Sequence, residues 1–122
     1  VPAARPDVIT TDNLARLKTR MIPQGANIPM SNETEKILHE QGVLVLPDFI
    51  ANAGGVICGA VEYRGGTRAQ AEETIVKTVS ANTRTILDDV KKNGVLPREA
   101  AVTLARKKLL EAIKKPDISR AA

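Results

Sequence analysis

Val43-Leu44-Val45-Leu46 is apolar on every side chain and is closed by Pro47-Asp48. A short run without alternation predicts a parallel strand buried on both faces. Ahead of it, Ile37 and Leu38 supply the apolar face of a helix. Asn32 followed by Glu35 has capping-box spacing at its start, and Gly42 stands where a C-terminal cap belongs. Met21-Ile22-Pro23-Gln24 predicts a shorter strand, weakened by its proline, and Gly25-Ala26-Asn27-Ile28-Pro29 a turn at its carboxyl end. Further upstream, Thr11 or Asp12 caps a short helix through Leu14 and Leu17 that ends near Lys18. Beyond Asn52-Ala53-Gly54-Gly55 the pattern turns helical. A first stretch runs from about Val56 to Arg64, and Gly65-Gly66 stops it. Thr67 with Gln70 then opens a long helix, ending at Asn93-Gly94, on which Ile75, Val79, Ile86 and Val90 line one side. Pro97 fits a first helical position. Val102, Ala105, Leu109 and Ile113 are the predicted buried face of that last helix, with Pro116 just past its end.

Helices alternating with strands over short connections indicate an α/β layer. Two or three strands are too few for a complete doubly wound domain, so the chain reads as a fragment, and its start at Val1 without a methionine agrees. At 122 residues, 43% hydrophobic and 26% charged, it has the size and composition of one globular domain. The single cysteine, Cys58, excludes an intrachain disulfide and Cys₄ or Cys₂His₂ zinc sites. No apolar run approaches the ~20 residues that span a bilayer, and residues 1–20 lack the order of a signal peptide, so we expect a cytoplasmic protein without membrane contact.

The net charge of +4 is uneven. Residues 1–61 carry five Lys/Arg against six Asp/Glu, and residues 62–122 carry thirteen against eight. A basic second half raises nucleic acid as a partner, but Phe49 and Tyr63 are the only aromatic residues, too few for a stacking surface. Arg106-Lys107-Lys108 is therefore read as a solvated helix face, and no nucleic-acid partner is expected.

Candidate chemistry is concentrated in one place. His39 stands alone among Lys36, Glu40 and Gln41 and is read as a surface residue. No Ser-His-Asp set, metal cluster, Gly-x-Gly-x-x-Gly or phosphate-loop motif occurs. In Pro47-Asp48-Phe49-Ile50-Ala51-Asn52-Ala53-Gly54-Gly55-Val56, by contrast, a buried strand ends and two glycines permit close backbone approach. Ligands of open α/β sheets bind outside the carboxyl ends of the strands, where Asn27 and Asn52 both fall. An Asn amide suits a carboxamide or a ribose hydroxyl. On helical spacing Asn52, Val56, Gly59 and Tyr63 share a face. Spacing by itself is met as well by a loop with a helix cap and close helix packing.

Three segments carry a resemblance: Gly25-Ala26-Asn27-x-Pro29, then Gly42-Val43-x-Val45-x-Pro47-Asp48-Phe49, then Asn52-Ala53-Gly54-Gly55-Val56 with Glu62. In this order and spacing, and with Pro2-Ala3-Ala4 and Ile9-Thr10-x-x-Asn13 ahead of them, they resemble the Glu/Leu/Phe/Val (glutamate-type) amino-acid dehydrogenases. The resemblance covers nearly the whole chain and is most specific from Gly25 to Glu62. It implies the second half of a Rossmann-type dinucleotide-binding domain over residues 1–64. Residues 65–122 would be closing helices that pack on it and toward a substrate domain outside this chain. The implied reaction is NAD- or NADP-dependent oxidative deamination of an L-amino acid, glutamate foremost, to the 2-oxo acid and ammonia. A homo-oligomer, typically hexameric, is implied as well. By the same resemblance Asn27 and Asn52 hold the nicotinamide or its ribose, with Gly54 and Gly55 beside them. Ala3 and Ala4 belong to a loop passing the cofactor, and Val56 lines the substrate side-chain pocket.

Two departures qualify this. Glutamate-specific members carry Ser three residues after that valine; Gly59 stands here and cannot bond a distal carboxylate, so a branched-chain or aromatic amino acid is the alternative substrate. A glycine inside a helix costs about 1 kcal/mol against alanine, which suggests a packing or ligand-space reason for it. Cys58 beside it reads as a small buried thiol. The family's catalytic lysine and aspartate and its glycine-rich turn fall upstream of Val1, so no catalytic residue is assigned and the 122 residues alone are expected to be inert. A non-catalytic paralogue serving as an oligomeric scaffold is the rival reading. The exposed strand edge predicts self-association or poor solubility of the isolated chain.

Overall fold

The computed structural model describes residues 1–114. After a single 3₁₀ turn at Leu14–Arg16 come strand β1 (Met21–Pro23), helix α1 (Asn32–Glu40) and strand β2 (Leu44–Leu46). Helices α2 (Asp48–Ala51), α3 (Gly54–Tyr63), α4 (Arg68–Asn93) and α5 (Pro97–Lys114) complete it. Pro116 and the residues around it lie outside the described residues. The two strands are parallel, Met21 opposite Leu44, Ile22 opposite Val45 and Pro23 opposite Leu46. A parallel pair requires a crossover, and α1 supplies it. The result is a mostly helical, partial α/β domain around a small parallel sheet.

β2 separates two apolar clusters because successive strand side chains point to opposite faces. Val45 joins Ile22, Met30, Leu38, Ile9 and Leu14 on one face. Leu46 joins Ile50, Ile86, Ala100 and Ala101 on the other. This two-sided burial is what four consecutive apolar residues demand.

The helix ends follow their capping chemistry except at two N-termini: Asn13, with no side-chain cap bond, stands before the first turn in place of Thr11 or Asp12, and the cap of α1 is shifted. Ser31, rather than Asn32, caps α1: its hydroxyl accepts the Thr34 N–H at 3.2 Å. Glu35 is thereby released from any capping role. At the other end Gly42, at φ +79°, donates its N–H to His39 O, and Val43 donates to Leu38 O, the paired bonds of a Schellman closure. Thr67 and Gln70 exchange both bonds of a capping box at the start of α4, and Gly94 closes it in the left-handed conformation.

Three local expectations are corrected. Asp48–Ala51 forms a helical turn where the pattern predicts only a strand end, and α3 starts at Gly54, so the glycine pair lies inside its first turn rather than before it. The face of α5 is also different. Pro97, Ala100 and Ala101 are buried and Leu104 packs with them, whereas Ala105, Leu109 and Ile113 are exposed and Val102 is half-buried. Positions 97, 100, 101 and 104 satisfy helical periodicity as well as the larger apolar set does. The buried apolar contacts with β2 and α4 come from the first half of the helix, where two alanines let the backbones approach, while Lys108 in its second half reaches α4 through a polar bond to Asn82.

Truncating Ile86, which is 1% exposed, to Ala should therefore cost about 2–5 kcal/mol of the chain's unfolding free energy in urea. Ile113→Ala, at a position 69% exposed, should stay within about 0.5 kcal/mol of wild type. Equal losses would contradict the assignment of the α5 face.

Candidate functional site

Each parallel strand is followed at its carboxyl end by a short loop, and a buried polar cluster ties the two loops together. Gln24, immediately after β1, is fully buried. Its Nε2 donates to Glu35 Oε1 at 2.7 Å, and its Oε1 accepts the Asp48 N–H at 2.9 Å. Arg98, in the first turn of α5, donates from Nε to Glu35 Oε2 at 2.7 Å and from Nη2 to Glu35 Oε1 at 2.6 Å. The same Nη2 lies 3.1 Å from both Gln24 Oε1 and Asp48 Oδ1. The guanidinium also stands over the Phe49 ring, 5.6 Å from its centroid. Charges taken out of water must be paired, and every buried polar side chain among the described residues has a partner.

Burial by itself pushes the Asp48 carboxyl up. The backbone N–H groups of Ile28 and Phe49 and the Arg98 cation outweigh it, so Asp48 is held below its ordinary range. The hydrogen bond to Glu35, against the cost of burial, holds the Arg98 proton more firmly than in a free guanidinium.

Above this cluster the two asparagines meet: Asn52 Nδ2 donates to Asn27 Oδ1 at 2.6 Å. The contact leaves Asn27 Nδ2, a donor, and Asn52 Oδ1, an acceptor, without a hydrogen-bond partner among the described residues. Asn52 closes the α2 turn through its N–H to Asp48 O at 2.8 Å. Asn27 is followed by Ile28 at φ +49°, a β-branched residue in the left-handed region, whose N–H is held by Asp48 Oδ2 at 2.9 Å. The N-terminal segment crosses over the same turn, where Pro2 O accepts the Ala26 N–H at 2.7 Å. It passes so close to Gly25 that a Cβ there would lie 3.1 Å from the Val1 side chain and 3.3 Å from Pro2 O. This crossing brings Ala3 and Ala4 beside Asn27.

Ala3, Ala4, Asn27, Asn52, Gly55 and Val56 thus line one open cleft of about 630 Å³, joined by Arg5, Pro6, Gly25 and Ala26. A Cβ on Gly55 would meet no protein atom, so the floor of the cleft is open to a ligand. Gly54 and Gly59 are not in the cleft wall. Gly54 faces Ile75 of α4, and Gly59 lies further along α3, where a Cβ would have open space for 4 Å around it. Cys58 and His39 are half-buried and away from the cleft. Among the described residues no group of His, Cys, Asp or Glu is arranged to hold a metal ion, and no helix is long and apolar enough to cross a membrane. Gln24 and Arg98 escaped sequence reasoning, but Glu35 left a signal: it shares the buried face of α1 with Thr34 and Leu38, where a carboxylate needs a partner.

A small parallel sheet with paired amides beyond its carboxyl ends makes this a partial α/β domain. Residues 1–116 match the profile of the Glutamate/Leucine/Phenylalanine/Valine dehydrogenases, and the chain belongs to that family. It is 40% identical over 125 positions to a glutamate dehydrogenase of Aeropyrum pernix, a match covering 93% of this chain and 30% of that protein. It is 30% identical over 118 positions to the NAD-specific glutamate dehydrogenase A of Halobacterium salinarum, covering 92% and 27%. In three dimensions it superposes on the glutamate dehydrogenase of Peptoniphilus asaccharolyticus with a TM-score of 0.77 and 27% identity, over 92% of this chain and 30% of that one. The chain therefore spans less than a third of the length of these relatives.

The depressed Asp48 carboxyl gives a pH signature. Its folded value lies below the unfolded one, so its stabilisation is complete above about pH 4 and is lost as pH falls through the folded value. Asp48→Asn should lower stability at neutral pH by about 1–3 kcal/mol, with the gap from wild type narrowing below about pH 4. Denaturation at a series of pH values measures this, and a gap independent of pH would remove Asp48 from the account.

Proposed function

We propose that this chain is the cofactor-side portion of an NAD- or NADP-dependent amino-acid dehydrogenase, with the Asn27–Asn52 cleft receiving the nicotinamide end of the dinucleotide. The observation that carries the reading is the amide pair itself, two asparagines from two strand ends 2.6 Å apart at the mouth of an open cleft. The cleft fits such a group. Asn27 Nδ2 and Asn52 Oδ1 together match a primary carboxamide or a ribose diol, and Gly55 leaves room for an approaching ring. When bound there, a nicotinamide would supply the acceptor for a hydride from the amino acid's Cα, the overall change being amino acid and water to 2-oxo acid and ammonia.

In this reading residues 1–64 are the second half of a Rossmann-type domain and residues 65–122 are the closing segment, whose described part is α4 and α5. The groups that move protons are supplied by the rest of a larger, oligomeric protein, and the 122 residues alone are inactive. Val56, 81% exposed at the cleft edge, offers the apolar wall for a substrate side chain. Glutamate is the first substrate, since the relatives of 30–40% identity are named glutamate dehydrogenases. A branched-chain or aromatic amino acid is the second, because Gly59 offers no side-chain donor to a distal carboxylate.

The whole protein carrying this sequence should reduce NAD or NADP with an L-amino acid. A panel from L-glutamate to L-leucine and L-phenylalanine decides the substrate, and failure to bind either dinucleotide would favour the scaffold reading. Gly55→Ala separates ligand space from folding. Stability should be unchanged or higher by up to about 1 kcal/mol, because alanine is the better helix former. The cofactor KM should rise by roughly tenfold, since the added methyl occupies the cleft. An unchanged cofactor KM would place the dinucleotide elsewhere.

A further inference from the structure

We propose that Arg98 is a positioning residue that couples the first turn of α5, through Asp48, to the alignment of Asn27 and Asn52. This rests on the reading of the cleft as the nicotinamide site.

Asp48 is bonded toward both asparagines. Its carboxylate Oδ2 accepts the N–H of Ile28, the residue after Asn27, and its backbone carbonyl accepts the N–H of Asn52. One residue thus sets where both amides stand. Ile28 needs that hold. It is a β-branched residue at φ +49° and is 62% exposed, outside both apolar clusters, so packing contributes little to holding the conformation. Besides the Asp48 bond, only the Ile28 carbonyl is engaged, by the Asp7 N–H at 3.1 Å.

Asp48 in turn is held by Arg98 Nη2 at 3.1 Å and by Gln24 Oε1, which accepts its N–H. Arg98 is the one cation, among the described residues, bonded to both carboxylates of the cluster, Glu35 and Asp48. Its fork makes two bonds to Glu35 and still reaches Asp48, an arrangement that a lysine ammonium, a single point with no fixed plane, does not reproduce. Arg98 does not line the cleft, so its influence there runs through Asp48.

The test uses the whole protein carrying this sequence and begins with titration of reduced dinucleotide against the wild type. Arg98→Lys keeps the charge and loses the fork. It should raise the cofactor KM by roughly tenfold while the amino-acid KM stays within about twofold, with the unfolding midpoint near wild type. Adding Ile28→Gly, which adopts positive φ without strain, should recover most of the lost cofactor affinity. A role confined to stability predicts no such rescue and no split between the two KM values. Asp48→Asn weakens the same link and should show the same cofactor-specific loss, so the question survives if the lysine variant does not fold. A wild type that binds dinucleotide, with an Arg98→Lys cofactor KM that does not move, overturns the proposal and leaves the site reading intact. A wild type that binds no dinucleotide overturns both.

Discussion

Two carboxylates and a carboxamide meet under the sheet's carboxyl end, and a single guanidinium makes that arrangement tolerable. Without Arg98, Glu35 and Asp48 would be buried side by side with no cation, a situation proteins avoid by rearranging. With it, the loop after β1, helix α1, the turn after β2 and the start of α5 are joined at one point. Apolar clusters on either side of β2 supply burial. They are non-directional and do not by themselves fix where the two loops stand. The polar cluster between them supplies direction, and the amide pair above it inherits that geometry.

The cleft is assembled from segments that share no secondary structure. The N-terminal crossing, the Gly25–Asn27 turn and the first turn of α3 each contribute a wall. Each is fastened differently: the crossing by the Ala26–Pro2 bond, the turn by Asp48, and α3 through Asn52 and Gly54 against Ile75. Positive φ at Ile28, and at Asp7, whose N–H bonds the Ile28 carbonyl, is the local strain this assembly carries, Ile28 being the β-branched one. It sits next to a candidate ligand-binding side chain, where such strain concentrates when neighbouring bonds over-determine the backbone.

How much of this is legible in the sequence depends on whether the signal is local. β2 is readable because four adjacent apolar residues have few other uses, and the α4 start because Thr67 and Gln70 are both halves of one device. Asn27 and Asn52 are visible as amides beyond strand ends, and their neighbours Ala3, Ala4, Gly55 and Val56 through family resemblance. The α1 cap lies one residue from its expected place because Ser31 and Asn32 are both good caps and only backbone geometry chooses between them. The face of α5 differs from expectation because periodicity names a stripe but not which stretch of it meets a neighbour. Arg98 is invisible in the sequence. Nothing adjacent to it hints at partners 50, 63 and 74 positions away.

That separation has a consequence for synthesis. A chain made from its N-terminus exposes Gln24, Glu35 and Asp48 well before residue 98 is added, at about 5–20 residues per second. Through that interval βαβ pairing can begin, but the cation that bonds both carboxylates in the fold is not yet present. The loops bearing Asn27 and Asn52 therefore lock only when α5 arrives. The binding surface, built from the early part of the chain, is completed from its late part.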